Sequence, residues 1–516
     1  MTTDRRSFLT AAGSALAFGV AGNAAASADA AEAASAATSG QAKAPPAEDL
    51  CYTSARELAR LLQSGQLSAR EVMAAHLKQI AHWNPTVNAI VAKFDDDRCM
   101  ALADAADRQR KVRGPLHGLP IAIKDTEPAV GFPFTRGSPI FRNEMPAEDS
   151  VIVERMRSAG AIFIGKTNVP EFGMGSHTYN KVYGTTLNPY DTRRTAGGSS
   201  GGAAVALATG MLPIVNGSDL GGSLRNPGNF NNVIGFRPTM GLIPAAPATE
   251  PFGNMGVKGP LARTVGDVAL LMSVMAGADA NDPASYPSDP QIFSKPLERE
   301  TKGIRVAWCP DLGSLPLEPE VRTVLDAQRA TLERLGCIVE DAHPDLTGAD
   351  EAFLTLRAWH SWSNLGALLE RHRGEMKQEA ITEIENGAKF SGSDIARAMT
   401  LQTQVMASMR NFQRNYDYVL CAVNQVQPFD ARISWPHEIA GTTMEHYIAW
   451  MKSAYWITVT GCPAISVPAG FTTDGLPVGL QIVGRYRADF ELLQFAHMFE
   501  QATHVGRRRP ELRTAS

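Results

Sequence analysis

Two hydrophobic periods alternate along this 516-residue chain. Near the start of the ordered pattern the period is helical, with Val72, Ala75, Leu77 and Ile80 recurring at helical intervals. Ser54-Ala55-Arg56-Glu57 and Ser68-Ala69-Arg70-Glu71 both have the S-x-x-E form of a capping box, in which the two side chains reciprocally satisfy backbone N–H groups. Asn84-Pro85 reads as the stop of the second helix. Pro120 to Ile123 and Ala161 to Ile164 are short β-rich runs. Between them Ser150 can cap a helix that faces inward through Ile152, Met156 and Ala159 and ends at Gly160. Ile304 to Trp308, Pro319 to Leu335 and Cys337 to Val339 repeat the strand–helix–strand order. This alternation predicts an α/β fold with a mainly parallel core. Residues 347–414 read as a helical excursion lying over that core, charged and poor in strand signals. Nothing resembling a linker divides the chain after Pro46, so residues 48–516 are expected to form one domain, against about three from a prior of ~150 residues each.

The N-terminus carries a different pattern. Arg5-Arg6-Ser7-Phe8-Leu9 is a twin-arginine sequence followed by an apolar run from Ala11 to Ala21, too short for a helix to span a bilayer. Ala24-Ala25-Ala26 and Ala26-Ser27-Ala28 fit A-x-A cleavage. Residues 1–28 are therefore read as a twin-arginine signal, residues 29–47 as an Ala/Ser-rich disordered linker, and the protein as periplasmic or secreted. The chain is 44% hydrophobic and 20% charged, with a formal net charge of -4. That composition is globular and gives no reason to expect nucleic acid, an anionic surface or stable membrane insertion. The six cysteines are scattered, without a C-x-x-C pair, and are expected to be buried free thiols.

Candidate chemistry gathers in three places. Gly197-Gly198-Ser199-Ser200-Gly201-Gly202 and Asp219-Leu220-Gly221-Gly222-Ser223 are glycine loops bearing serine, and Ile121-Ala122-Ile123-Lys124-Asp125 ends an apolar strand on a lysine. Glycine lets backbone N–H groups approach a reacting oxygen. A buried lysine loses its charge preference and becomes a base. The combination points to a serine hydrolase that works without histidine. Two other motifs compete. Gly160 to Thr167 matches the phosphate-loop pattern, but its variable positions are β-forming and Pro170 follows closely, so it is read as a strand. Gly198 to Gly202 matches G-x-S-x-G with Ser200 as nucleophile, but Thr192 to Thr195 is a poor buried strand, and the late His497 and His504 lack catalytic context. Among 11 histidines none has H-E-x-x-H or H-x-H spacing, so no metal is expected.

Gly114 to Asp125 resembles the lysine segment of the amidase signature family. The blocks Gly165 to Phe172, Asn188 to Tyr190, Gly197 to Gly202, Asp219 to Arg225, Gly235 to Thr239, Gly259 to Thr264, Gly461 to Pro468 and Gly475 to Gln481 follow in that family's order. The resemblance covers nearly all of the chain after the signal. It implies one α/β/α domain around a mixed sheet and a Ser–cis-Ser–Lys triad. In that triad Ser223 is nucleophile, Ser199 the bridging serine after a cis peptide from Gly198, and Lys124 the base. Gly173 matches the family's substrate-contacting backbone position.

Chemistry suits those roles. A serine needs a base within hydrogen-bond reach, and Ser199 can accept a proton from Ser223 while passing its own to Lys124. The N–H groups of Leu220, Gly221, Gly222 and Ser223 are expected to converge on the oxyanion of a tetrahedral intermediate. Asp219, Arg225 and Ser200 are read as supporting residues. The expected activity is hydrolysis of a carboxylic amide, without cofactor, on a small-molecule substrate. The alternatives are a carbamate, urethane or ester hydrolase and the family's tRNA-dependent amidotransferase subunit, and monomer and homodimer stay open. Trp359, Trp362, Tyr447, Trp450, Tyr455 and Trp456 are read first as core packing, with an acyl pocket as the other use.

Overall fold

Serine caps and buried apolar faces set the first helices, α1 (Ala55–Gln63) and α2 (Ala69–Val87). The computed structural model describes residues 50–109, 111–248 and 255–511, and the expected signal and linker lie outside them. Only one of the two capping boxes closes. Ser68 Oγ accepts the Glu71 N–H while Glu71 Oε2 accepts the Ser68 N–H. At α1, Ser54 Oγ accepts the Glu57 N–H, but Glu57 turns its carboxylate to Arg60 at 2.7 Å. The expected stop at Asn84-Pro85 is overrun: α2 continues to Val87 and ends on Asn88 in a left-handed conformation, φ 50°. Asn84 shapes the exit instead, its Oδ1 accepting the N–H groups of Ala89 and Ile90.

Strands β1 (Ile90–Val91), β2 (Pro120–Lys124) and β3 (Ile162–Thr167) form a small sheet in the order β1-β3-β2. Strands β4 (Ile214–Asp219), β5 (Ile234–Arg237), β6 (Val257–Ala262), β7 (Arg305–Trp308), β8 (Ile338–Asp341), β9 (Tyr418–Ala422), β10 (Ala464–Phe471) and β11 (Pro477–Val483) form an eight-stranded sheet. Its order is β8-β7-β9-β11-β10-β5-β6-β4. The sheet is mixed, as the resemblance implies, but neighbouring strands are not mainly parallel. β7 pairs in parallel with β8 and with β9, while the other five pairings are antiparallel. The connection between β10 and β11, closed by Thr472 N–H donating to Leu476 O at 2.9 Å, admits only a hairpin. The parallel β7–β8 pair is the strand–helix–strand unit read from the sequence, its helical part split into Pro319–Asp326 and Arg329–Arg334.

Two apolar cores hold the layers. Met73, Leu77 and Ile80 of α2 pack with Ile162, Ile164 and the buried helix α3 (Gly201–Ala208). In the second core, α4 (Ala349–His372) and α5 (Gln378–Gly387) precede α6 (Gly392–Phe412), and Phe353, Leu356, Val405 and Met409 pack with Val419, Trp450 and Tyr455. All six cysteines are free and buried. The phosphate-loop lookalike lies largely on β3, where the buried Lys166 donates to Glu127 O at 2.6 Å.

The two sheets meet at β2 and β4. Lys124, the last residue of β2, donates its N–H to Asn216 Oδ1 of β4 at 3.2 Å. β4 ends at Asp219, so the lysine and the second serine loop leave their strands side by side.

Candidate active site

Lys124 is 0% exposed at the end of a fully buried strand. Its Nζ lies 2.9 Å from Ser199 Oγ, 2.8 Å from Ser200 Oγ and 2.9 Å from Ser218 Oγ. Burial, reinforced by the Lys258 ammonium and opposed by Glu127 and Asp219, pushes its pKa down to about 7. At that value the neutral amine is populated near neutrality and can take a proton from one of the hydroxyls it touches.

The Ser199 loop is fixed from outside. The Gly198–Ser199 peptide is cis. Gly197 O accepts from Thr178 Oγ1 and Gly198 O from Ser176 Oγ, each at 2.8 Å. α3 begins directly afterwards against the backbone of its neighbours: a Cβ on Gly202 would stand 2.5 Å from Ala89 O, so only glycine allows the approach. The two serine loops are joined by the Ser200 N–H, which donates to Ser223 O at 3.2 Å.

Asp219 organises the second loop. Its carboxylate accepts from the N–H groups of Gly222 at 2.9 Å and Leu224 at 3.1 Å. Arg225 Nε and Nη2 grip it at 3.0 and 2.9 Å, and Arg237 approaches at 3.2 Å. Burial alone would raise the carboxyl pKa, but the two guanidiniums hold it well below the usual carboxylate range. Arg225 is itself pinned by Ala454 O, Gln481 Oε1 and Thr458 Oγ1. One expectation changes here. The Gly222 N–H serves Asp219 in shaping the turn, whereas Leu220, Gly221 and Ser223 line the open pocket. Gly222 has φ +111°, and a Cβ on it would stand 2.5 Å from Asn226 Oδ1.

Ser199, Ser223, Gly173, Leu220 and Gly221 share one pocket of about 360 Å³. Gly173 borders Ser199, since a Cβ there would lie 3.7 Å from Ser199 Oγ. Phe172, Met174, Leu365 and Met451 give the pocket apolar walls. A second chamber of about 660 Å³ adjoins it and shares Ser218, Leu220, Lys258, Asn364 and Leu365. Ser200 and Asp219 lie behind the first chamber, touching the lysine and the turn.

Several lining residues were not legible beforehand. Ser218 touches Lys124 only because β4 and β2 end together. Arg357, His360, Ser361, Asn364 and Leu365 reach the pocket from α4, and their spacing is the single-face pattern of a helix. That pattern was visible, but what it faced was not. None of the six aromatic residues considered for an acyl pocket lines it: Trp450 and Tyr455 are core, Trp359, Tyr447 and Trp456 pack against that core, and Trp362 is exposed. A larger cleft of about 750 Å³, lined by Arg56, Arg263, His497 and His504 among others, contains none of the expected site residues. Among the described residues no cluster of three or more His, Cys, Asp or Glu is placed to hold a metal ion.

The α/β fold thus sets a wholly buried lysine against three serine hydroxyls, and Ser199 opens with Ser223 onto a single pocket. The family model described as Amidase matches residues 71–493. An acylamidase of Rhodococcus erythropolis is 35% identical over 459 residues, covering 88% of this chain and 96% of that protein. A glutamyl-tRNA(Gln) amidotransferase subunit from Synechococcus sp. is 32% identical over 476 residues, covering 87% and 96%. A bacterial aryl acylamidase structure superposes with a TM-score of 0.82 at 28% identity, covering 89% of this chain and 99% of the other. The chain belongs to the amidase signature family. It is an amidase, a hydrolase of C–N bonds.

Proposed function

We propose that this enzyme is an exported acylamidase that cleaves carboxylic amides to acid plus ammonia or amine through an acyl-Ser223 intermediate. The observation that carries the reading is the uncharged-prone Lys124 amine, wholly buried and within 2.9 Å of the Ser199 hydroxyl. Ser199 passes its proton to Lys124 Nζ as it takes the proton of Ser223. Ser223 Oγ then bonds to the carbonyl carbon, and the N–H groups of Leu220, Gly221 and Ser223 receive the oxyanion. The C–N bond breaks as the proton returns through Ser199 to the leaving nitrogen. Water, deprotonated along the same path, attacks the ester and frees Ser223. Gly173 is the backbone neighbour of the bound substrate, and Asp219 and Arg225 hold the nucleophile's turn in place. Ser200 and Ser218 complete the hydroxyl cage around the amine.

The apolar pocket walls and the acylamidase relatives favour an acyl anilide or a similar acyl amide over a highly charged substrate. The twin-arginine start supports export. Replacing Lys124, Ser199 or Ser223 by Ala should each lower kcat by ~10³-fold or more on an anilide. Near wild-type turnover in Ser223→Ala would falsify the assignment. A panel of anilides, primary amides, carbamates and esters ranks the substrate classes. The second reading, a tRNA-dependent amidotransferase component, draws on the relatives at 32% identity. Partner subunits copurifying from the source cell would favour it. Cell fractionation of the full chain and of the Arg5→Lys, Arg6→Lys variant tests export: the variant should stay inside.

A further inference from the structure

Lys258 reaches the site from β6, a strand whose motif lies in the following residues. Its partner across the β4–β6 pairing is Ser218. Residues directly opposite in an antiparallel pair carry side chains on one face, with Cβ atoms about 4.5–5.5 Å apart. Ser218 Oγ is itself 2.9 Å from Lys124 Nζ, so the Lys258 side chain is one neighbour removed from the amine. The Lys258 side chain is 20% exposed on the pocket wall and forms an ion pair with Glu127, whose side chain is 2% exposed. Glu127 follows Lys124 by three residues and donates its N–H to Lys124 O at 2.9 Å. A cation from one strand and an anion from the turn after another thus flank the same amine and neutralise each other.

We propose that Lys258 and Glu127 form a charge couple that sets the protonation of Lys124, Lys258 keeping the amine neutral and Glu127 limiting that effect. The inference rests on the reading of Lys124 as the base. After burial, Lys258 is the largest influence lowering the lysine's pKa, and Glu127 is the first that raises it. The other charges nearby are already committed. Asp219, at the end of β4, is clamped by Arg225 and Arg237. Asp125 faces Lys166 of β3 at 3.5 Å. On the pocket side Arg136 pairs with Glu144 and Arg357 with Glu383, and His360 lies on the α4 wall. The Ser199 and Ser200 loop brings hydroxyls only. Lys258 and Glu127 are positioning residues: they act on the reaction through Lys124.

The test is the pH dependence of kcat/KM on neutral 4-nitroacetanilide for the wild type, Lys258→Met, Lys258→Arg, Glu127→Gln and the Lys258→Met, Glu127→Gln double variant. Activity falls on the acid side as Lys124 is protonated. Removing Lys258 takes away a repelling charge and leaves Glu127 with Lys166 beside it, so the acid limb should rise by about one pH unit. Removing Glu127 leaves the cation unopposed, so the limb should fall by a similar amount. The double variant should return close to wild type, and Lys258→Arg should stay there. A merely structural role would lower activity in both single variants without moving their limbs in opposite directions. Limbs that stay put, or move the same way, in variants with native near-UV circular dichroism overturn the couple. Should Lys258→Met not fold, Glu127→Gln against Lys258→Arg decides it. Lys124→Ala separates the two layers: an inactive variant with unmoved limbs in the others defeats the couple alone, whereas retained activity defeats the base and the couple with it.

Discussion

Lys124 illustrates how much one side chain's surroundings decide. The same residue in water holds its proton to about pH 10.4. Sealed at the end of β2 and faced by three hydroxyls, it titrates at about 7. The kcat/KM profile of the wild type should therefore fall below about pH 7 with the slope of a single proton, and a kcat/KM unchanged between about pH 5 and 8 would contradict a lysine base. The three hydroxyls are not equivalent in the reaction. Ser200→Ala should cost about tenfold in kcat, far less than Ser199→Ala, because it removes a support and leaves the relay intact. The two serine-bearing glycine loops and the lysine closing an apolar run are local patterns that the sequence shows, whereas the choice of Ser199 and Ser223 within those loops came from the family resemblance. Ser218 and Lys258 were not legible, since their importance comes from a pairing between strands 40 residues apart in sequence.

At the scale of elements, the turn after β4 is where stability and chemistry are joined. Asp219 bonds two backbone N–H groups of that turn and two buried guanidiniums. Asp219→Asn leaves Arg225 and Arg237 without their counterion, and should lower unfolding stability by about 3–5 kcal/mol in urea titrations as well as kcat. The pH dependence has a definite sign. A carboxyl whose pKa is depressed in the folded state stabilises it above the unfolded value of about 3.9, and that contribution drains away as pH falls below it. The wild type should lose stability in that acid range more steeply than Asp219→Asn. Of the elements around this turn only β2 was read from the sequence, as the apolar run ending at Lys124, while β4, β5 and β6 were not read as strands. Nor was the pairing of strands legible: which of two adjacent apolar strands runs up or down depends on the connection, and within the eight-stranded sheet the β10–β11 hairpin advertises it by a short link. α2 outran its proline because Asn84 offered the chain an exit two residues beyond Pro85, a side-chain arrangement with no signature in the hydrophobic pattern.

Seen whole, the molecule keeps its six thiols for packing, as it does Trp450 and Tyr455. Burial pushes Cys462 up to about 11 and Cys421 up to about 12, away from the reactive thiolate range. Native protein should give almost no colour with a disulfide reagent such as 5,5′-dithiobis(2-nitrobenzoate), and all six thiols should appear on unfolding in guanidinium. Brisk labelling of the native protein would show that these thiols are accessible. The large-scale division of labour was only half visible in the sequence. The motifs of residues 114–225 announced themselves, but the helical stretch beyond residue 347 showed charge and periodicity without showing that α4 forms a wall of the pocket. That wall has an evolutionary consequence. His360, Ser361, Asn364 and Leu365 occupy a single helical face more than 130 residues downstream of the nucleophile. Under the proposed mechanism the bond-breaking residues and this wall therefore lie in separate stretches of the chain. A small randomised library confined to those four codons is expected to reorder acyl preference on an anilide panel while turnover persists, a separability that would let a lineage diversify without passing through inactive ancestors.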